Sequence, residues 1–158
     1  GRPRLRQTAF LLTGDWYLAD DLVQECLVRL YDAWPRVGGS PSLQAYARRV
    51  LVNLVTDHRR RPARREQPAE EVPDRPVDDT DARVDRDRLV SALREVPPRQ
   101  LAVLVLRFFD DLSVEQTAGV LGTTAGTVKS QTHRGLEALR HALAERGLAA
   151  TFDLQEMP

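Results

Sequence analysis

Residues 112–140 read LSVEQTAGVLGTTAGTVKSQTHRGLEALR, a pattern of two helices joined by a tight turn. Ser113 precedes an amphipathic run with Gln116 three positions on, the layout of an N-cap with a capping box. The first helix keeps Val114, Ala118 and Leu121 on one side, and Gly122 follows where a residue free to take positive φ ends a helix. Thr123 or Thr124 then caps a second helix, whose apolar stripe is Val128, Leu136 and Leu139, with Thr132 in step. The small Ala118 permits close approach of the two helices, and Val128 is expected to fill the angle between them. This is the construction of a helix-turn-helix that lays its second helix against DNA. Lys129, Ser130, Gln131, His133 and Arg134 fall off the apolar stripe near the N-terminal half of that helix, where base edges would be met. A plain helical hairpin with a solvated polar face has the same local pattern, so the neighbouring sequence must decide.

A chain of 158 residues suits one large domain or two small ones. Its 23 Lys and Arg balance 23 Asp and Glu, so no global field draws it to nucleic acid and local segregation of charge must do so. The single cysteine, Cys26, lies in an amphipathic pattern and reads as a small buried residue. One cysteine forms no internal disulfide, which fits a reducing cytoplasm. No apolar run reaches membrane-spanning length and no signal peptide is evident, so membrane insertion is not expected. The chain opens abruptly inside a helical pattern, which suggests residues missing upstream.

Residues 5–13 end a helix carrying Leu5, Ala9, Leu11 and Leu12, stopped by Gly14. Asp15 caps the next, expected over 16–34 and closed by Pro35. Leu18, Leu22, Val23, Leu27, Leu30 and Tyr31 are its expected buried face. Asp20, Asp21, Gln24, Glu25 and Arg29 lie mostly outside that face, as a solvated surface or a docking surface for a basic partner. After a loop at 38–41, Ser42 opens a third stretch with Leu43, Tyr46, Ala47, Val50, Leu51, Leu54 and Val55 as its stripe. Asn53 is a poor interior helix residue and a good cap, which allows a break there; a plain surface Asn is the alternative. The run Arg59, Arg60, Arg61 suits either a helix C-terminus or a phosphate contact.

Composition then changes. Prolines at 62, 68, 73 and 76 and a predominance of acids over 66–87 mark an extended or disordered linker. The fold class is therefore all-α: two small helical domains, 1–62 and 84–147, joined by a Pro- and acid-rich linker over 63–83, the second carrying the helix-turn-helix. The second domain starts with a helix striped by Val84, Leu89, Val90 and Leu93, and Pro98 sits at the first turn of the next. Residues 101–109 are nearly all apolar and should form the helix beneath the helix-turn-helix. A strand fits by periodicity alone but not among these neighbours. Arg107, its lone charge, either snorkels to the surface or reaches a phosphate. Residues 148–158 read as a loose tail. An enzyme is disfavoured: His58, His133 and His141 show no metal-ligand spacing with Cys26 or one another, and no nucleophile is placed by pattern, so neither catalytic residue, metal nor cofactor is expected.

DDLVQE at 20–25, then Arg48-Arg49-x-x-x-Asn53-x-x-x-Asp57-His58-x-Arg60-Arg61, the Pro/acid linker, PPRQ at 97–100 and the stretch from 112 occur in one order. That order resembles the bacterial extracytoplasmic-function sigma factors, in their actinobacterial sigma-E-like subfamily, over nearly the whole chain to about residue 146. The resemblance implies a subunit that recruits core RNA polymerase to promoters and helps melt the minus-ten element. It implies that Asp21, Gln24, Glu25 and Arg29 dock on the clamp coiled coil of the largest subunit, and that the second domain meets the flap of the second-largest. Asn53 matches the position that helps hold a flipped non-template base, with Arg48, Arg49, His58, Arg59 and Arg60 on neighbouring phosphates. Lys129, Ser130, Gln131, His133 and Arg134 match the groove-facing positions at the minus-thirty-five element, and Arg107 a position near the DNA backbone. An anti-sigma protein covering both domains is compatible with this reading. Tyr46 stands where the family often has Trp, the first helix is shorter than usual, and no long C-terminal domain is expected. The rival is a stand-alone helix-turn-helix regulator that dimerises on a palindrome, which the DDLVQE helix and two-domain layout disfavour.

Overall fold

The computed structural model describes residues 2–61 and 80–148, and every regular element among them is helical. Helix α1 (Arg2–Thr13) ends at Gly14, and α2 (Trp16–Val37) starts from Asp15, whose carboxylate accepts from the amides of Tyr17 at 2.9 Å and Leu18 at 3.2 Å. Pro35 does not close α2 as the sequence suggests. In a final turn it removes only one amide donor, so the helix continues to Val37, where the Gly38 amide donates to the Trp34 carbonyl at 2.7 Å. Helix α3 (Leu43–Arg59) is unbroken: Asn53 sits exposed in mid-helix and caps nothing.

These three helices enclose Ala9, Leu12, Ala19, Leu22, Val23, Cys26, Val50, Leu51, Leu54 and Val55. Tyr31 is not in that core. It lies five residues beyond Cys26, about 140° around a helix of 3.6 residues per turn, and is 81% exposed. Cys26 is fully buried, and burial pushes its thiol up to about 11, with nearby Arg29 opposing weakly.

The second group begins with α4 (Thr80–Leu93), four residues before the sequence expectation. Its buried positions are Ala92 and Leu93, followed by Val96, while Val84 is 40% exposed. Helix α5 (Pro98–Leu104) starts with proline at its first turn and widens into a π-helical turn (Val105–Phe109). Leu101 to Leu106 are all buried, as a helix beneath the helix-turn-helix requires. Helices α6 (Val114–Leu121) and α7 (Ala125–Glu145) complete the group. Gly135 lets α7 close on α5: a Cβ there would stand 3.1 Å from Leu104 Cγ and 3.3 Å from Gln100 Cβ. Leu148, placed in the tail by sequence, is instead buried, its amide donating to the Leu143 carbonyl at 2.9 Å.

The two groups share one continuous apolar cluster, which runs from Ala9 and Leu51 through Val96 and Leu101 to Leu143. Helix α3 packs on α6, and α1 on the π-helical turn. Sequence residues 62–79, most of the expected linker, and 149–158, most of the expected tail, lie outside the described residues. Among the described residues no helix is long and apolar enough to cross a membrane.

Candidate nucleic-acid interface

The α6–turn–α7 unit is built by local chemistry. The Gln116 amide donates to Ser113 Oγ at 3.0 Å and the Ser113 amide to Gln116 Oε1 at 2.8 Å, a reciprocal capping box. Gly122 takes φ 67°, ψ 37°, the left-handed turn that the sequence assigned to it, and Thr123 donates back to the Ala118 carbonyl at 3.0 Å. Thr124, the second of the two candidate caps, accepts from the Thr127 amide at 3.1 Å. Val128 is fully buried against Ala118 and Val103, which fixes the angle between the helices.

With that side anchored, α7 turns Lys129, Ser130, His133 and Arg134 to solvent, and Gln131 is half-buried. Ser130 Oγ donates to the Thr127 carbonyl at 3.0 Å, and His133 Nε2 meets Glu137 Oε1 at 3.2 Å. Lys129 and Arg134 have no ion-pair partner among the described residues, so their charge stays available to an anionic polymer. Arg107 lies on the π-helical turn rather than on α7. It is half-buried, its guanidinium 5.3 Å from the centre of the Phe108 ring.

The second set of candidates lies along α3. Asn53 and Arg60 are exposed, and His58 and Arg59 half-buried, with Arg59 donating to the Leu12 carbonyl at 2.7 Å. Arg48 and Arg49 both reach into the other helical group: Arg48 Nε lies 3.3 Å from Asp110 Oδ2, and Arg49 donates to the carbonyls of Gly119 at 2.8 Å and Val120 at 3.2 Å. Asn53, Arg59 and Arg60 face Thr127 and Gln131 across a cleft of about 780 Å³. The structure thus brings the α3 candidates opposite the start of α7, a juxtaposition invisible in sequence.

On α2, Asp21, Gln24, Glu25 and Arg29 are all exposed, with Glu25 and Arg29 paired at 3.1 Å. Asp20 is drawn aside by Arg6 at 2.6 Å, and the Arg6 guanidinium covers the Trp16 ring at 4.3 Å. Sequence reading missed the apolar part of this face. Tyr17 is 61% and Val28 60% exposed, and with Asp21, Gln24 and Tyr31 they follow a 4-3-4-3 spacing that forms one stripe on a helix. These exposed apolar side chains, interleaved with polar ones, make an amphipathic face open to solvent.

A helix-turn-helix with an exposed cationic face, an arginine-rich helix opposite it and an exposed amphipathic face are features in keeping with a DNA-reading protein. Residues 1–65 match the family Sigma-70 region 2, and residues 86–139 match Sigma-70, region 4. The RNA polymerase sigma-E factor of Streptomyces avermitilis is 42% identical over 153 residues, spanning 93% of this chain and 86% of that protein. Its counterpart in Streptomyces coelicolor is 40% identical over the same shares. The ECF RNA polymerase sigma factor SigL of Mycobacterium tuberculosis is 33% identical, spanning 89% of this chain and 82% of its own. The fold is also that of the sigma factor RpoE solved with the anti-sigma factor NepR from Bartonella quintana, with TM-score 0.76 and 24% identity over 90% of this chain and 91% of that one. The chain belongs to the extracytoplasmic-function sigma factors of RNA polymerase, of the actinobacterial sigma-E type. Its function is promoter-specific initiation of transcription.

Proposed function

We propose a division of labour between two weak DNA readers carried on one polymerase. The first, residues 1–62, docks on the clamp coiled coil of the largest polymerase subunit through Asp21, Gln24, Glu25 and Arg29. It then holds the opened minus-ten strand: Asn53 binds a flipped base, and Arg48, Arg49, His58, Arg59 and Arg60 bind the adjoining phosphates. Extruding one base costs a few kcal/mol, so hydrogen bonds offered only to the flipped base make melting sequence-selective. The second, residues 84–147, meets the flap of the second-largest subunit and reads the minus-thirty-five duplex with Lys129, Ser130, Gln131, His133 and Arg134. Arg107 would approach the DNA backbone after leaving the Phe108 ring. The segment between the two readers serves as the tether, shortened to 63–79 because α4 already begins at Thr80, and the tail starts after the buried Leu148.

The observation that carries this reading is the exposed, unpaired charge of Lys129 and Arg134 on a helix whose opposite side is locked by Val128. A bidentate base contact discriminates by only about 1–3 kcal/mol. Two small readers therefore gain selectivity by binding together on one scaffold, where the second contact is effectively intramolecular. The protein performs no catalysis itself; polymerase makes the RNA, in the cytoplasm. An anti-sigma protein would act by covering the same α2, α3 and α7 surfaces. The test is co-purification with core polymerase, compared with stable binding of the isolated chain to duplex DNA. Retention on polymerase is expected; a chain that ignores polymerase and binds a duplex palindrome as a dimer would refute the proposal.

A further inference from the structure

Asp110 is the most enclosed charged group in the described structure outside the proposed DNA-reading set, its side chain 1% exposed. It sits at the end of the π-helical turn, its amide donating five residues back to the Val105 carbonyl at 3.0 Å. Asp111 follows in the left-handed region, φ 57°, a strained conformation for a residue with a side chain. This irregular backbone aims the Asp110 carboxylate out of its own helical group and into the other. There it accepts from Thr8 Oγ1 at 3.1 and 3.3 Å, from Arg4 Nε at 3.3 Å and from Arg48 Nε at 3.3 Å. All three donors belong to α1 and α3. Arg4 also donates to the Phe109 carbonyl and stacks on its ring at 4.4 Å.

Arg49, next to Arg48, is held in the same way by the carbonyls of Gly119 and Val120 at the C-terminal end of α6, where partial negative charge gathers. Two arginines assigned to strand phosphates are thus occupied by a carboxylate and a helix terminus of the same chain. The Arg48 Nε donor turned to Asp110 is lost to a phosphate, and the carboxylate beside it cancels the charge that a phosphate would meet.

We infer that Asp110 stands in for a backbone phosphate and latches the two helical groups together, so that closure and capture of single-stranded DNA by α3 exclude one another. This rests on the minus-ten assignment of Arg48 and Arg49. In the closed form the cleft between Asn53 and Gln131, about 780 Å³, is of small-molecule rather than duplex size. Separating the groups on polymerase frees both arginines at once, so the isolated chain is kept from engaging stray single strands.

The test uses the full chain, with Asp110→Asn and, because the Arg4 side chain is half-exposed and not part of the apolar core, Arg4→Ala as a second variant. Circular dichroism checks that each is folded. Small-angle X-ray scattering reads closure, and fluorescence anisotropy reads binding of a random-sequence single-stranded deoxyoligonucleotide pool about 12 nucleotides long. The shared apolar cluster still favours closure, so Asp110→Asn is expected to populate the open form more, raising the radius of gyration and tightening binding on the order of ten-fold, the scale of one charge-assisted hydrogen bond. Arg4→Ala should move both readouts in the same direction by less. Folded variants with an unchanged radius, or an opened chain that binds no more tightly, overturn the latch. If Asp110→Asn opens the chain and tightens binding, but adding Arg48→Ala leaves that gain intact, the latch is upheld and the phosphate role of Arg48 fails.

Discussion

Replacing Val128 with alanine tests whether the angle of the helix-turn-helix is set by packing at that one point. Val128 is fully buried, and its neighbours Val103 and Ala118 are 2% and 8% exposed, so little can relax into the space two lost methyl groups would leave. Burial of a valine side chain stabilises by about 1.5–3 kcal/mol, and the residual cavity holds the loss near the upper part of that range. For a chain of this size that is a fall of about 3–12 °C in melting temperature. The assay is thermal and urea unfolding followed by circular dichroism, with Val128→Thr as the control of equal volume. In the control a hydroxyl can donate to the carbonyl four residues back, as Thr132 Oγ1 does to Val128 at 2.7 Å, so it should lose less than the alanine variant. A loss under about 0.5 kcal/mol for Val128→Ala, the size of an ordinary surface change, would refute the claim that this residue anchors the angle.

Four further outcomes are expected. Ser113→Ala should cost about 1 kcal/mol by removing the capping box of α6, read by the same unfolding experiment. The Cys26 thiol is raised from 9.0 to about 11 in the folded chain. Below pH 9 both states are protonated, and between these values the unfolded state alone loses its proton, so stability should fall as pH rises through the window. The loss is on the order of 2–3 kcal/mol, seen as a steeper decline than in Cys26→Ala between pH 9 and 11. Arg134→Ala should weaken minus-thirty-five duplex binding by about 1–3 kcal/mol if it reads a base; a phosphate contact would instead lower the salt slope by about one, and salt-dependent binding of both proteins separates the cases. Asn53→Ala should slow strand opening more than initial promoter docking, measured with a fluorescent base analogue in the minus-ten element.

The helix-turn-helix was legible in sequence because everything that builds it is local. Ser113 with Gln116, the Gly122 turn with Ala118, and Thr124 with Thr127 each act within five residues of their partner, so residue type and spacing were enough. The exposure of Lys129 and Arg134 followed from helical periodicity alone. What escaped depended on partners far along the chain or on small angular differences. Asp110 meets Arg4 106 residues away, and no pattern in either segment announces the other. The π-helical turn is hidden because an apolar run such as 101–109 carries no periodicity to show a change of pitch. Tyr31 reads as core in sequence because an aromatic near the end of a stripe is ambiguous by one position, and one position is 100° of helix. Leu148 looked like tail because a single apolar residue after Gly147 makes no stripe, yet it closes the end of α7. Pro35 shows the same limit in reverse, since a helix stop by composition was tolerated in a final turn.

The central claim, that this chain selects promoters for a polymerase through α3 and α7, is tested most directly by run-off transcription. Core polymerase reconstituted with the chain would be assayed across a library of promoter fragments, beside Asn53→Ala and Arg134→Ala. The account predicts RNA from a defined subset of fragments only when the chain is present, with Arg134→Ala altering which upstream elements succeed and Asn53→Ala reducing output wherever the strands must open. Transcription indifferent to the chain, or to both substitutions, would contradict it.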